Sequence, residues 1–208
     1  LTDRLGFIAT KDGYADFHFG STLNDTHGFA NIAAGLKYAF LQDIEKNYIV
    51  TGGIRYEAPI GDIETSGVEL QGQGDGLVDL FVSAAKNWEK FGLEGNVGTN
   101  LALDGDENAS SLHYSVHADY AVTEKFYPIV EFNGISAFDD GNRLAWNLEG
   151  HDVLNLGSRG AGTTLTAAVG FRCMISENIQ AGASWEEALT DREDLLESRA
   201  TANVIFHF

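Results

Sequence analysis

Apolar residues recur along most of the chain at every second position and seldom at helical spacing, the mark of strands with one apolar and one polar face. The last segment is the plainest case: Ala200, Ala202, Val204, Phe206 and Phe208 alternate with Arg199, Thr201, Asn203, Ile205 and His207. Leu112, Tyr114, Val116, Ala118 and Tyr120 alternate in the same way with His113, Ser115, His117 and Asp119. Seven further segments, around Leu36, Ile54, Leu80, Val97, Val130, Val169 and Ala183, repeat the step. The pattern predicts nine strands between Phe29 and Phe208, with one or two more from the glycine-rich stretch Arg4–Gly20.

The connections alternate in length. Gln42–Asn47, Trp88–Lys90, Thr123–Lys125 and Ser176–Asn178 read as short turns, whereas Gly61–Gly76, Leu103–Ser111, Ser136–Gly160 and Glu187–Glu197 read as long polar loops. Short turns at one end and long loops at the other are the plan of an up-and-down barrel of the bacterial outer membrane. A soluble sandwich would scatter its long loops over both ends. Tyr38, Phe40, Tyr48, Trp88, Phe91, Tyr120, Phe126 and Tyr127 flank the short turns, where an interfacial aromatic girdle belongs. The plainer account, that aromatics favour strands anywhere, does not explain their gathering at one end.

Composition narrows the classes. Among 208 residues, 44% are apolar and 11% aromatic, which speaks against a disordered polymer, and one cysteine cannot build a disulfide scaffold. No apolar run reaches the 18 or so residues of a membrane helix, but a barrel strand needs only about 9–11, with alternate positions free to be polar. Lys and Arg number 13 against 31 Asp and Glu, a net charge of −18, so a nucleic-acid partner is not expected. The chain starts at Leu1 with no leader segment before the first strand pattern and reads as processed or truncated. A single domain over 1–208 is expected: all-β, an antiparallel transmembrane barrel of about ten to twelve strands.

Val204, Phe206 and the terminal Phe208 resemble the C-terminal signal of outer-membrane barrels, which in those proteins is read by the insertion machinery. Tyr56-Glu57-Ala58-Pro59-Ile60-Gly61-Asp62, followed by the glycines of Gly72–Gly76 and a strand over Leu77–Lys86, resembles the MetA-pathway phenol-degradation family of outer-membrane barrels. The similarity runs from about Asn31 to Phe208 and implies an outer-membrane transporter embedded in lipid. If Phe208 ends on the periplasmic side, the last strand descends, and counting back makes Asn31–Phe40 descend as well. An ascending strand must then precede it. Gly13–Gly20 can supply it and give ten; if Leu5–Thr10 is a further descending strand, one ascending strand has been lost and the intact barrel had twelve.

The polar faces collect the expected lumen lining: Lys37, Arg55, Glu57, Asp79, Glu94, Asn96, His113, His117, Asp119, Glu131, Arg172, Glu186 and Arg199, with Asn133 beside them. Such charges either line a selective path or lock into a plug of ion pairs, and barrels of this size lie between side-chain-filled and open ones. No cofactor and no metal is expected. His113 and His117 stand four positions apart on a strand, about 13 Å, too far to share one ion. Asp104-Gly105-Asp106-Glu107-Asn108 has oxygen ligands but not the twelve-residue spacing of a calcium loop. Catalysis is not expected either: Ser115, His117 and Asp119 share a strand face, but i and i+2 lie about 7 Å apart, twice the reach of a nucleophile and its base.

The long loop carries Phe138, Leu144, Trp146, Leu148, Val153 and Leu154, an apolar set that suits a vestibule over the barrel mouth. Two readings follow. The chain is a channel or transporter for small, aromatic or hydrophobic molecules, or it is a structural barrel with a closed lumen whose loops bind another protein.

Overall fold

The computed structural model describes residues 2–10, 13–19, 23–147, 154–160, 162–192 and 197–207. Its elements are β1 (Leu5–Thr10), β2 (Tyr14–Phe17), β3 (Thr26–Phe29), β4 (Ile32–Asp43), β5 (Tyr48–Ala58), β6 (Glu64–Thr65), β7 (Val68–Glu69), β8 (Leu77–Trp88), β9 (Phe91–Ala102), β10 (Ser110–Tyr120), β11 (Phe126–Asp139), β12 (Thr163–Ser176), β13 (Ile179–Ala188) and β14 (Ser198–Phe206). No helix occurs among the described residues.

Ten strands form one antiparallel meander in the order β1-β4-β5-β8-β9-β10-β11-β12-β13-β14. The hairpins β2–β3 and β6–β7 stand apart from it. The sheet curls, because Thr10 of β1 and Thr201 and Asn203 of β14 border the same cavity. Its two edge strands are not hydrogen-bonded to each other among the described residues.

The start of the chain differs from the expectation. The ascending strand that precedes β4 is Leu5–Thr10, which pairs antiparallel with it from Leu5↔Tyr38 to Thr10↔Ala33. Among its described residues Gly13–Gly20 adds no strand to the wall; Tyr14–Phe17 pairs only with Thr26–Phe29. Pairing partners decide this, and a four-residue alternation carries no information about its partner.

The alternation sorts as the pleat requires. Leu80, Val82, Val97, Val116, Val130, Phe132 and Val169 are exposed on the outer face, while Ala33, Asp79, Ile129, Thr166, Ala168 and Glu186 are buried on the inner one. An outer face this apolar suits lipid and would be a liability in water. Tyr114 lies over Gly134, its cross-strand partner, covering the gap the glycine leaves in the outer wall.

The turn end carries outward aromatic pairs, Tyr38 with Phe40 and Trp88 with Phe91 at 5.6 and 5.7 Å between centroids, and Lys86 sits over both Tyr48 and Trp88. Tyr120 and Phe126 are exposed there too. Tyr127 is the exception among the expected girdle residues: it is registered opposite Arg172 and lines a cavity inside. Its neighbour Phe126 takes the outward place, so only one of the two adjacent aromatics can face lipid.

The most deeply buried apolar residues lie in the long loops, not in the wall. Ile63, Leu70, Leu154 and Leu156 form a small core at the loop end, packed by Phe17, Phe19, Val68 and Leu144. The connections after β1, β5 and β11 thus fold on one another as a cap.

Candidate functional site

The strands bring their inward side chains around a cavity of about 560 Å³. A second cavity, of about 450 Å³, opens toward the short turns. Eight expected lumen residues line the first: Arg55, Glu57, Asp79, His113, Glu131, Arg172, Glu186 and Arg199. Asp119 lines the second, and Arg172 borders both. Lys37, Glu94, Asn96 and His117 line neither; Lys37 lies over Gly6 at the β1 edge, and Asn96 donates to Ser83 Oγ at 2.6 Å.

Most of the charge is paired. Arg55 donates from Nε to Asp79 Oδ2 at 2.7 Å and from Nη1 to Thr10 Oγ1 at 3.0 Å, and its guanidinium lies 5.5 Å from the centre of the Phe81 ring. His113 donates from Nε2 to the other oxygen of Asp79 at 2.7 Å. Register explains the first contact, because Arg55 and Asp79 are direct cross-strand partners, whereas His113 reaches Asp79 from one strand further. A second group centres on Glu186, which accepts from Arg199 Nε at 3.0 Å and Nη2 at 2.6 Å, from Asn133 Nδ2 at 3.2 Å and from Thr166. His117 lies 3.6 Å from Glu131 and 3.8 Å from Asp119, beyond hydrogen-bonding reach. These pairings hold the inward side chains in fixed positions along the wall.

Above the first cavity the loops are tied to the strands by buried amides. Asn31 donates from Nδ2 to Glu57 Oε1 at 3.0 Å and accepts from Gly61 N at 2.9 Å, and its own N–H goes to Gln71 Oε1 at 2.9 Å. Phe29 N donates to Asp62 Oδ1 at 3.0 Å. A Cβ on Gly61 would sit 2.8 Å from Gln71 Cβ and 2.9 Å from Asn31 Oδ1, so only glycine fits there. The Pro-x-Gly-Asp element is therefore the joint between wall and cap. Asn155 continues the tie: it donates to Ala109 O at 2.7 Å and accepts from Ala109 N at 2.8 Å.

The apolar loop residues divide. Leu144 and Leu154 belong to the cap core, Phe138 is exposed, and Trp146 is 37% exposed. Leu148 and Val153 lie outside the described residues, as does Phe208, while Val204 and Phe206 point outward on β14. Sequence reading did not anticipate Ile63, Leu70 and Leu156 as the partners that bury Leu154, because they come from loops far apart in the chain. Tyr127 and Ile129 as inward apolar residues were equally unforeseen, although strict alternation from Glu131 marks both.

No group of three or more metal-ligating side chains occurs among the described residues. Ser115 makes no hydrogen bond to His117 among them. The geometry suits a passage or a binding lumen: a polar cavity whose charges are held in place, a second cavity toward the turns, and a folded cap above.

A family model described as "Putative MetA-pathway of phenol degradation" matches residues 3–199. Among solved structures, the chain is similar to the "NanC porin structure in rhombohedral crystal form", with a TM-score of 0.60 at 8% identity, covering 99% of this chain and 98% of that one. At that identity the likeness concerns the fold alone. Comparison with curated proteins finds no match.

Proposed function

The chain belongs to the MetA-pathway phenol-degradation family, which matches it over residues 3–199, and from that premise we propose that it is an outer-membrane channel that passes small molecules through its polar lumen. The observation that carries the reading is the cavity of about 560 Å³ enclosed by a wall whose outer face is apolar. A polar cavity behind an apolar outer wall suits a channel in lipid better than a soluble binding protein. The porin-like fold supports the same reading.

The cavity carries three arginines and four carboxylates, Glu57, Asp79, Glu131 and Glu186, a near balance of charge. Ion preference is therefore weak toward cations, and neutral or apolar solutes of modest size are the natural cargo. The cap formed by residues of the long loops sits where such a solute would enter, and Phe138 and Trp146 offer it apolar surface. The protein acts as a passage and not as a catalyst. Lipid of the outer membrane and the barrel insertion machinery are its expected partners.

The test is conductance in planar bilayers. The full chain is expected to give discrete openings, and neutralising Arg55, Arg172 and Arg199 together is expected to move the reversal potential toward cation preference. A properly folded protein that passes no current, and whose liposomes do not swell in small sugars or aromatic solutes, would favour the structural barrel that docks another protein through its loops.

A further inference from the structure

The three inward arginines are in unlike states. Arg55 is held by Asp79 and Arg199 by Glu186, whereas Arg172 has neither a hydrogen bond nor an ion pair among the described residues. It also stands at the junction, lining both the main cavity and the one toward the turns.

Register explains why Arg172 has no partner. Its row across the sheet runs through Tyr127 on β11, Gly182 on β13 and Asn203 on β14, none of them charged. Of the carboxylates that border the two cavities, Asp79 is held by Arg55 and His113, Glu186 by Arg199 and Glu57 by Asn31, while Glu131 and Asp119 lie 3.6 and 3.8 Å from His117. Glu89, Lys90 and His207 also border the cavity toward the turns, the first two within the β8–β9 turn itself.

A guanidinium keeps its proton at every accessible pH and presents a planar fork of donors that matches the two oxygens of a carboxylate. Inside a cavity, where water is limited, that match is stronger than at a surface. The ring of Tyr127 lies across the ladder from it, with its hydroxyl committed to Glu124 O at 2.8 Å, which leaves the ring body as an apolar flank. A Cβ on Gly182 would lie 3.4 Å from Arg172 Cγ, so the glycine gives the stem room to lie along the wall. Taken together the two cavities carry more carboxylates than arginines and lysines, which disfavours a dianion such as phosphate.

We propose that Arg172 is the anion-binding point of the lumen, taking the carboxylate of a small organic monoacid whose apolar body lies along Tyr127. This deepens the channel reading and rests on it for the purpose of the site, but the binding itself is tested separately. Benzoate, acetate and the neutral benzamide serve as probes, titrated calorimetrically into the detergent-solubilised full chain and added to the chamber during bilayer recording. Benzoate should bind and block current, acetate more weakly, and benzamide not at all. Arg172→Gln should weaken benzoate by about tenfold or more, and Arg172→Lys, which keeps the charge without the fork, by an intermediate factor. Lys90→Gln should change it less than about twofold, because an exposed charge at the turn is screened.

Folding of each variant is checked by its heat-modifiable migration, and if Arg172→Gln does not fold, Arg172→Lys decides alone. Unchanged benzoate binding in the Arg172 variants, equal loss in Lys90→Gln, or no benzoate binding to the wild type overturns the assignment. Binding without current sustains Arg172 and overturns the channel; current without Arg172-dependent binding does the reverse.

Discussion

Asp79 shows what a single residue holds together in this wall. It accepts hydrogen bonds from Arg55 and His113 at a buried position, so Asp79→Ala strands a guanidinium and an imidazole at once. The expected loss is about 1.5–3 kcal/mol, the range for hydrogen bonds to charged groups, read from urea unfolding in lipid vesicles. His18 lies outside the wall and offers a pH-dependent counterpart. Its imidazole is raised above its ordinary value of 6.5, first by the hydrogen bond to Asp25 and then by the charges of Asp16 and Asp25, while Asp25 is lowered mainly by the same bond. A raised histidine contributes stability that is complete below its unfolded value and is lost as pH rises through the folded one. The clamp that His18 makes with Asp25 should therefore loosen as pH rises through that raised value, and the His18 ring resonances should titrate above 6.5 in the wild type and lower in Asp25→Asn. Equal midpoints in the two proteins would show that the bond is absent in solution.

At the scale of elements the two faces of a strand must answer differently to charge. Leu80 and Val116 lie on the outer face within β8 and β10, and each is about half exposed. Arg at either position should cost roughly 2–4 kcal/mol if it lies at the bilayer midplane, whereas Arg at Ser83 or Ser115 on the inner face should cost much less. Equal costs in vesicle unfolding would mean that the register or the lipid-facing side is wrong. The cap is the other element with a testable independence. Leu156→Ala removes a buried side chain from the loop core, which should cost about 2–5 kcal/mol of cap stability and quicken proteolysis of the loops. Because the cap contributes no rung to the ten-stranded ladder, removing residues 140–160 should leave heat-modifiable migration intact while changing conductance.

For the whole molecule the demands of lipid dominate. A spanning wall without helices must satisfy its backbone groups through strand pairing, so the purified protein should need detergent, show β-type circular dichroism and migrate faster unheated than boiled. A monodisperse, detergent-free monomer would contradict the membrane assignment. The two unpaired edges, β1 and β14, carry the weakest part of that wall, since β14 is exposed along nearly its whole length on both faces. Cross-linking of cysteines placed in β1 and β14 should be efficient in a bilayer, where an open edge has no water to satisfy it, and weaker in detergent.

How much could be read without coordinates follows from the range of the forces involved. Period-two alternation is local, so strand existence and the separation of short turns from long loops were legible in the chain, whereas which charges border a cavity was not: Lys37, Glu94, Asn96 and His117 line neither. The residue at which a strand stops was legible to within a few positions. Partnership was not: whether Leu5–Thr10 or Gly13–Gly20 lies beside β4 depends on a ladder between distant segments. The pairing of Arg55 with Asp79 and the isolation of Arg172 depend likewise on register, because a shift of one residue would turn every side chain to the other face. A loop over the mouth was expected, but the core that holds the loops together was hidden for a related reason. Ile63, Leu70, Leu154 and Leu156 carry no period in their own loops, and only three-dimensional packing, which removes their apolar surface from water, makes them one core. Local alternation thus determined the wall and its two faces, whereas long-range pairing and packing decided which charges meet, which one is left open to a solute, and how the loops over the mouth pack into one core.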